Sequence, residues 1–305
     1  MDVSFYGVRG STPCSCTSVA KYGGNTSCVV VTPDHGDPII LDLGTGLRYF
    51  GLDCAGLNAT GSKPFVGSAF VTHLHWDHIQ GLPFFAPVLC SGGEIDVYAP
   101  PQLEETTDDA VRRFLAPPFF PVSLDDLPGD VTISEMEAGA IDIAGATVTA
   151  DYVPHMGPTF GYRIEADGFS VAYIPDHQQP LDDSTVVAPE VLKLCEGVDL
   201  LIHDAQFNSA EFAIKAHWGH CTPEYAMEVA AQAEAKCLAL FHHDPSHSDT
   251  QVDEMLAETR VMGEKRGVTE VIAAHEGLTI SYSSGAAVEQ DASRSVEHST
   301  EAALT

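Results

Sequence analysis

Residues 69–78 read Ala69-Phe70-Val71-Thr72-His73-Leu74-His75-Trp76-Asp77-His78, and the rest of the chain is organised around this stretch. Three histidines and an aspartate fall within six residues, directly after a short apolar run. Phe70 and Val71 read as the end of a buried strand, bounded by Gly67-Ser68 before it and Gly81-Leu82-Pro83 beyond the cluster. If the backbone stays extended, His73 and His75 project to one side. Asp77 and His78 are adjacent, face differently, and are candidates for a second centre. Imidazole and carboxylate together suit zinc and similar divalent ions. The plainer alternative is a set of solvated loop histidines, which this density beside a strand end disfavours.

Composition sets the outer bounds. A chain of 305 residues can bury a core as one large domain or two ordinary ones. Against 14 Lys+Arg stand 44 Asp+Glu, a formal net charge of −30. Such a field repels polyanions and predicts that no long nucleic acid is a partner, while a small anion drawn to a metal centre stays compatible. Residues 1–6 carry neither a basic flank nor a long apolar run, so no signal peptide or membrane association is expected. Eight scattered cysteines without a Cys-x-x-Cys pair predict reduced thiols in a cytoplasmic protein.

Apolar runs bounded by turn residues predict strands over 3–8, 27–32, 38–43 and 94–99, besides the one entering the histidine cluster. In the second half they fall at 142–143, 146–153, 161–165, 169–174, 198–202, 237–241, 270–274 and 278–282. Helices are expected from 81 to 89, carrying Phe84 and Phe85, and over 102–115, 190–196, 223–235 and 249–266. Thr222 is the natural N-cap before Pro223. The run Ala116-Pro117-Pro118-Phe119-Phe120-Pro121 reads as a loop over a pocket or against a second subunit, which would make a homodimer. A satellite hydrophobic cluster under the loop is the alternative. Residues 1–284 are expected to form one domain, and 285–305, small and polar, a disordered tail.

Acids and histidines recur at the ends of these predicted strands: Asp42, His73 to His78, His155, Asp176, His203-Asp204 and His242. Strand ends converge on one edge of an α/β core, where a site belongs. His73, His75 and His155 are candidates for one ion; Asp77, His78 and His242 for another; Asp176 is placed to bridge them. Seven N/O ligands without a thiolate fit two zinc ions, with manganese or iron as alternatives. Asp42 is read as orienting a ligating histidine. His242 is preferred to His243 because it follows the strand first, and His243 and His247 remain as supporting or substrate-contacting residues.

From residue 3 to about 282 the chain resembles the metallo-β-lactamase-fold hydrolases. Within them it is similar to the branch holding ribonuclease Z and the small cyclic phosphodiesterases. The resemblance rests on the 72–78 motif, Gly7-Val8-Arg9-Gly10-Ser11, Gly23-Gly24-Asn25-Thr26-Ser27, Asp176 in place of a ligating cysteine, and Gly219-His220-Cys221-Thr222, which is similar to the Gly-His-Ser-Thr of ribonuclease Z. It implies a four-layer αβ/βα sandwich, an α/β fold, and a metal-dependent hydrolase. Two ions held close together make hydroxide available as a nucleophile near neutral pH. Asp77 would hold that water as well as metal, and His220, oriented by Asp204, would protonate the leaving alkoxide. The expected substrate is a small, possibly cyclic, nucleotide or sugar phosphodiester, with Phe84, Phe85, Phe119 and Phe120 shaping its pocket. The same nucleophile would serve a lactone, thioester or phosphotriester. Outside enzymes, a metal-binding regulatory or scaffold protein fits the ligand set.

Overall fold

Two mixed sheets form the middle of the molecule, as shown by a computed structural model that describes residues 1–58, 63–283 and 286–291. The first sheet takes β1 (Asp2–Gly7), β2 (Cys28–Thr32), β3 (Ile39–Leu41), β4 (Val66–Phe70), β5 (Glu94–Ala99) and β6 (Asp130–Glu135). The second takes β7 (Gly139–Ile143), β8 (Ala146–Tyr152), β9 (Phe160–Ala166), β10 (Phe169–Ile174), β11 (Leu200–Asp204), β12 (Cys237–Phe241) and β13 (Glu270–Ala273). The chain then returns to the first sheet with β14 (Leu278–Ser283) and β15 (Ala286–Asp291). Strand order is β15-β14-β1-β2-β3-β4-β5-β6 in one sheet and β13-β12-β11-β10-β9-β8-β7 in the other. From β3 to β6, and from β10 to β13, neighbours run parallel.

Parallel strands covered on both faces need continuous apolar runs, and β11 and β12 are buried at every position. Alternate residues then feed separate layers. Val171 and Tyr173 of β10 meet Phe5, Val31 and Leu41 of the first sheet, whereas Ala172 and Ile174 pack under α4 (Pro189–Cys195) and α6 (Pro223–Gln232). On the other side Ala69 and Val71 pack with α1 (Leu47–Asn58) and α3 (Thr107–Phe114). Helix, sheet, sheet and helix therefore make the four-layer sandwich. Three further helices complete it: α2 (Trp76–Ile79), α5 (Ser209–Lys215) and α7 (Asp249–Arg266). The Thr222 hydroxyl accepts from the Tyr225 N–H and caps α6.

Several elements differ from the sequence reading. Residues 81–89 form two 3₁₀ turns, Leu82–Phe84 and Ala86–Leu89, because Pro83 and Pro87 each remove an N–H donor. Helix α1 was not anticipated: Gly44-Thr45-Gly46 reads as a turn, and Gly51 interrupts the apolar period. A Cβ at Gly51 would lie 2.8 Å from the Ala86 amide nitrogen, so the glycine permits close packing of helix on turn. Of the tail expected over 285–305, residues 286–291 pair antiparallel with β14, and residue 285 and 292–305 lie outside the described residues.

Candidate metal centre

The C-terminal ends of β3, β4, β10, β11 and β12 deliver Asp42, the 72–78 motif, Asp176, Asp204 and His242 to one edge of the sandwich. Their ligand atoms form overlapping sets. His73, His75 and His155 form one, and Asp77, His78 and His242 another. Asp176 joins His73 and His78 in a third set, and His220 and His242 in a fourth; within each set all ligand atoms lie within 4.8 Å. The two oxygens of Asp176 divide between the groups. Oδ1 lies 3.9 Å from His73 Nε2 and 3.6 Å from His155 Nε2; Oδ2 lies 3.1 Å from His78 Nε2 and 3.4 Å from His242 Nε2.

Most of these imidazoles are aimed through the opposite ring nitrogen. His78 Nδ1 donates to Asp42 Oδ2 at 2.7 Å, His155 Nδ1 to the Gly219 carbonyl at 2.7 Å, and His242 Nδ1 to Gln206 Oε1 at 2.9 Å. The Thr72 hydroxyl donates to Asp42 and accepts from His73 Nδ1 at 3.0 Å. Each acceptor fixes the tautomer whose Nε2 lone pair faces the cluster. Asp42 is fully buried and also receives the Thr72 N–H at 2.7 Å and the Tyr173 hydroxyl at 2.9 Å, so its charge is matched by donors. Asp42 and His242 both hold left-handed backbone, φ 61° and 58°, a strained conformation for residues other than glycine. Gly10 backs His242: a Cβ there would sit 2.4 Å from its ring.

The donor set fits divalent cations. His78 Nε2 and Asp176 Oδ2 are buried without a hydrogen-bond partner among the described residues, a costly arrangement unless something else occupies the space between the ligands. Burial alone would push the Asp77 and Asp176 carboxyls up, but the surrounding histidines, His78 and His242 foremost, hold both well below the usual carboxylate range. Both are therefore anionic. Asp77 Oδ2 also accepts the Ser11 N–H at 2.6 Å. Beside the cluster, His220 Nδ1 donates to Asp204 Oδ2 at 3.0 Å, and Asp204 is itself held by the backbone N–H groups of His177 and Gln206.

Other expected residues fall elsewhere. Phe85 does not shape a pocket: it is fully buried under the first sheet, stacked on Phe50 and edge-on to Phe65. Phe84 and Phe120 contact each other edge to face and do not line the cleft beside the motif; Phe119 does. His243 turns away from the cluster, its Nε2 donating to the Ala274 carbonyl, because successive side chains at a strand end point oppositely. His247 pairs with Glu211 instead of reaching the site. Sequence reasoning missed Thr72, Tyr173, Gln206 and Ser11. Thr72 stands next to His73 and Gln206 two residues beyond the strand-end Asp204, so both were detectable by position; Tyr173 comes from within β10 and carries no local signal.

A four-layer αβ/βα sandwich with a histidine–aspartate cluster at its strand ends defines a metallo-β-lactamase-fold hydrolase. The chain belongs to the beta-lactamase superfamily, whose domain model matches residues 61–243. It is 26% identical to a ribonuclease Z of Natronomonas pharaonis, covering 83% of this chain and 92% of that one. It is 25% identical to a ribonuclease BN of Cronobacter sakazakii, covering 86% and 95%. The fold is shared with zinc-bound PqqB of Methylobacterium extorquens, at a TM-score of 0.66 and 19% identity over 92% of this chain and all of that one (100%). This protein is accordingly a metal-dependent hydrolase.

The relatives overturn one expectation. A net charge of −30 predicts that no long nucleic acid is a partner, yet the relatives are named as ribonucleases. Charges further apart than a Debye length, about 8 Å at physiological ionic strength, are largely screened, so a total summed over the whole surface does not govern what binds at one edge. Among the described residues, no helix is long and apolar enough to cross a membrane.

Proposed function

We propose that this protein is a dinuclear metal-dependent phosphodiesterase acting on ribonucleotide phosphodiesters, with small nucleotides, cyclic ones included, and RNA ends both within its range. The observation that carries this reading is the split of Asp176 between two ligand groups, with His220 locked by Asp204 alongside. The names of the relatives support the phosphodiester as the bond cleaved. His73, His75 and His155 would hold one ion, Asp77, His78 and His242 the other, with Asp176 between them. The all-N/O donor set favours zinc, with manganese or iron as alternatives, and the zinc-bound neighbour agrees. Such ions supply a nucleophile at neutral pH and neutralise charge on phosphoryl oxygens.

The chain's own residues do the rest. The Ser11 N–H holds Asp77 Oδ2, fixing the carboxylate that would orient the attacking water. Asp204 occupies His220 Nδ1, leaving Nε2 as the atom that passes a proton to the leaving oxygen. Burial opposes a charged His220, but Asp204 and the neighbouring acids raise its pKa and favour the proton-carrying form. Eight scattered cysteines without a Cys-x-x-Cys pair are in keeping with reduced thiols and a cytoplasmic location. Metal-loaded protein should hydrolyse bis(p-nitrophenyl) phosphate, nucleoside 2′,3′-cyclic phosphates or RNA, and His220→Ala should lower kcat by two to four orders of magnitude. Rapid opening of lactones, thioesters or phosphotriesters with no phosphodiester turnover would replace this reading. Metal binding without turnover on any of these substrates would favour a regulatory or scaffold protein.

A further inference from the structure

Two cavities stand out. One of about 720 Å³ lies among the hairpin turns around Asp142–Thr147 and Glu165–Ser170, at the opposite end of β10 from Asp176. The other, of about 600 Å³, adjoins the metal motif. Along that motif His73, His75 and Asp77 carry ligand atoms, while Leu74 and Trp76, between them in the chain, line the second cavity. Pro158, from the loop that carries His155, also lines it, together with Phe114 and Phe119. The two loops that supply His75 and His155 therefore also form the wall of the cleft.

Its chemistry differs from that of the metal centre. Trp76 and Phe119 are 71% and 75% exposed, and the Trp76 ring lies 6.4 Å from that of Phe114. Arg113 is tied to Glu105, and Glu104 adds a second acid, so the cleft offers nothing to hold a phosphate. It offers ring faces and the amides of Gln80 and Gln102. A phosphate belongs at the cations and a flat, neutral, hydrogen-bonding ring belongs here.

We infer that this cleft is the nucleobase subsite of the phosphodiesterase proposed above: Trp76 and Phe119 stack the base of a nucleotide whose phosphate lies at the metal centre. The inference rests on that functional reading for its substrate, but binding of the base can be measured without turnover. The chain has two tryptophans, so in a Trp218→Phe background Trp76 is the only indole reporter. Adenosine, which has no phosphodiester, should quench its fluorescence saturably, and ribose should not. Phe119→Ala should weaken that binding roughly 5- to 150-fold, the range of a lost base–aromatic stack.

In steady-state assays Trp76→Ala should raise KM for a nucleoside 2′,3′-cyclic phosphate by a similar factor. It should leave KM for base-free ribose 2′,3′-cyclic phosphate within about twofold, and Trp76→Phe should restore most of the loss. Trp76 and Phe119 are exposed, so these variants should fold. Absence of quenching at millimolar adenosine, or equal KM shifts with and without a base, overturns the subsite. So does a change in subunit number on replacing Trp76 or Phe119 with no change in adenosine affinity, which would make the cleft an interface between copies. Quenching that persists in a protein inactive on every phosphodiester upholds base binding and rejects the reaction instead.

Discussion

Replacing Gln206 by leucine isolates the support of a single ligand. Gln206 is buried, its Oε1 accepts from His242 Nδ1 at 2.9 Å, and its Nε2 donates to Ser11 Oγ at 3.2 Å. The Ser11 N–H in turn holds Asp77. Leucine fills a similar volume but leaves the His242 N–H buried without an acceptor and frees the ring to rotate about its Cβ. Loss of such an outer hydrogen bond typically costs 10–100-fold in metal affinity, about 1.4–2.8 kcal/mol. The effect should be one-sided, because His73 and His155 are oriented by Thr72 and Gly219, which Gln206 does not touch. Metal content per chain, measured by mass spectrometry against increasing chelator, should fall in two steps. Half of the metal should leave at 10–100-fold lower chelator than in the wild type, and half at the wild-type position. Gln206→Glu, which keeps the acceptor, should recover most of the shift. Release of both halves together, or release indistinguishable from wild type, would refute the assignment of Gln206 to the Asp77–His78–His242 group.

Two further outcomes follow from burial. Phe85→Ala should cost about 3–5 kcal/mol of unfolding free energy in urea melts, as expected for a large core truncation, without altering KM; a KM effect at unchanged stability would return Phe85 to the substrate pocket. Burial and the nearby Arg9 guanidinium depress the His243 pKa from its ordinary 6.5 to about 3. Between those values the unfolded chain binds the proton and the folded chain does not, so stability rises with pH through this window and is lost on acidification. His243 alone should remove about 1.6 kcal/mol between pH 6.5 and pH 5. Urea midpoints of His243→Gln, compared with wild type in chelator-treated protein, should show a correspondingly shallower pH slope, and parallel slopes would contradict it.

What the sequence disclosed was set by how local each signal is. His73, His75, Asp77 and His78 declare themselves by density beside a strand end, and His155, Asp176 and His242 by recurring at later strand ends. Tyr173 reaches Asp42 from another sheet across 131 positions of chain, which no local pattern encodes. Helix α1 was hidden because the glycines that permit its close packing are also turn residues. Phe84 and Phe85 are neighbours in sequence, yet one is exposed and the other fully buried, so aromatic content alone could not tell pocket from core. The acidic total misdirected the search for a partner, because a net charge carries no position.

Zinc titration into metal-free protein, followed by turnover of a phosphodiester, tests the account most directly. Activity should be absent without metal, rise with added zinc and reach its plateau at two equivalents per chain, and Asp176→Ala should abolish the plateau. Full phosphodiester turnover at one equivalent, or in the presence of excess chelator, would contradict it.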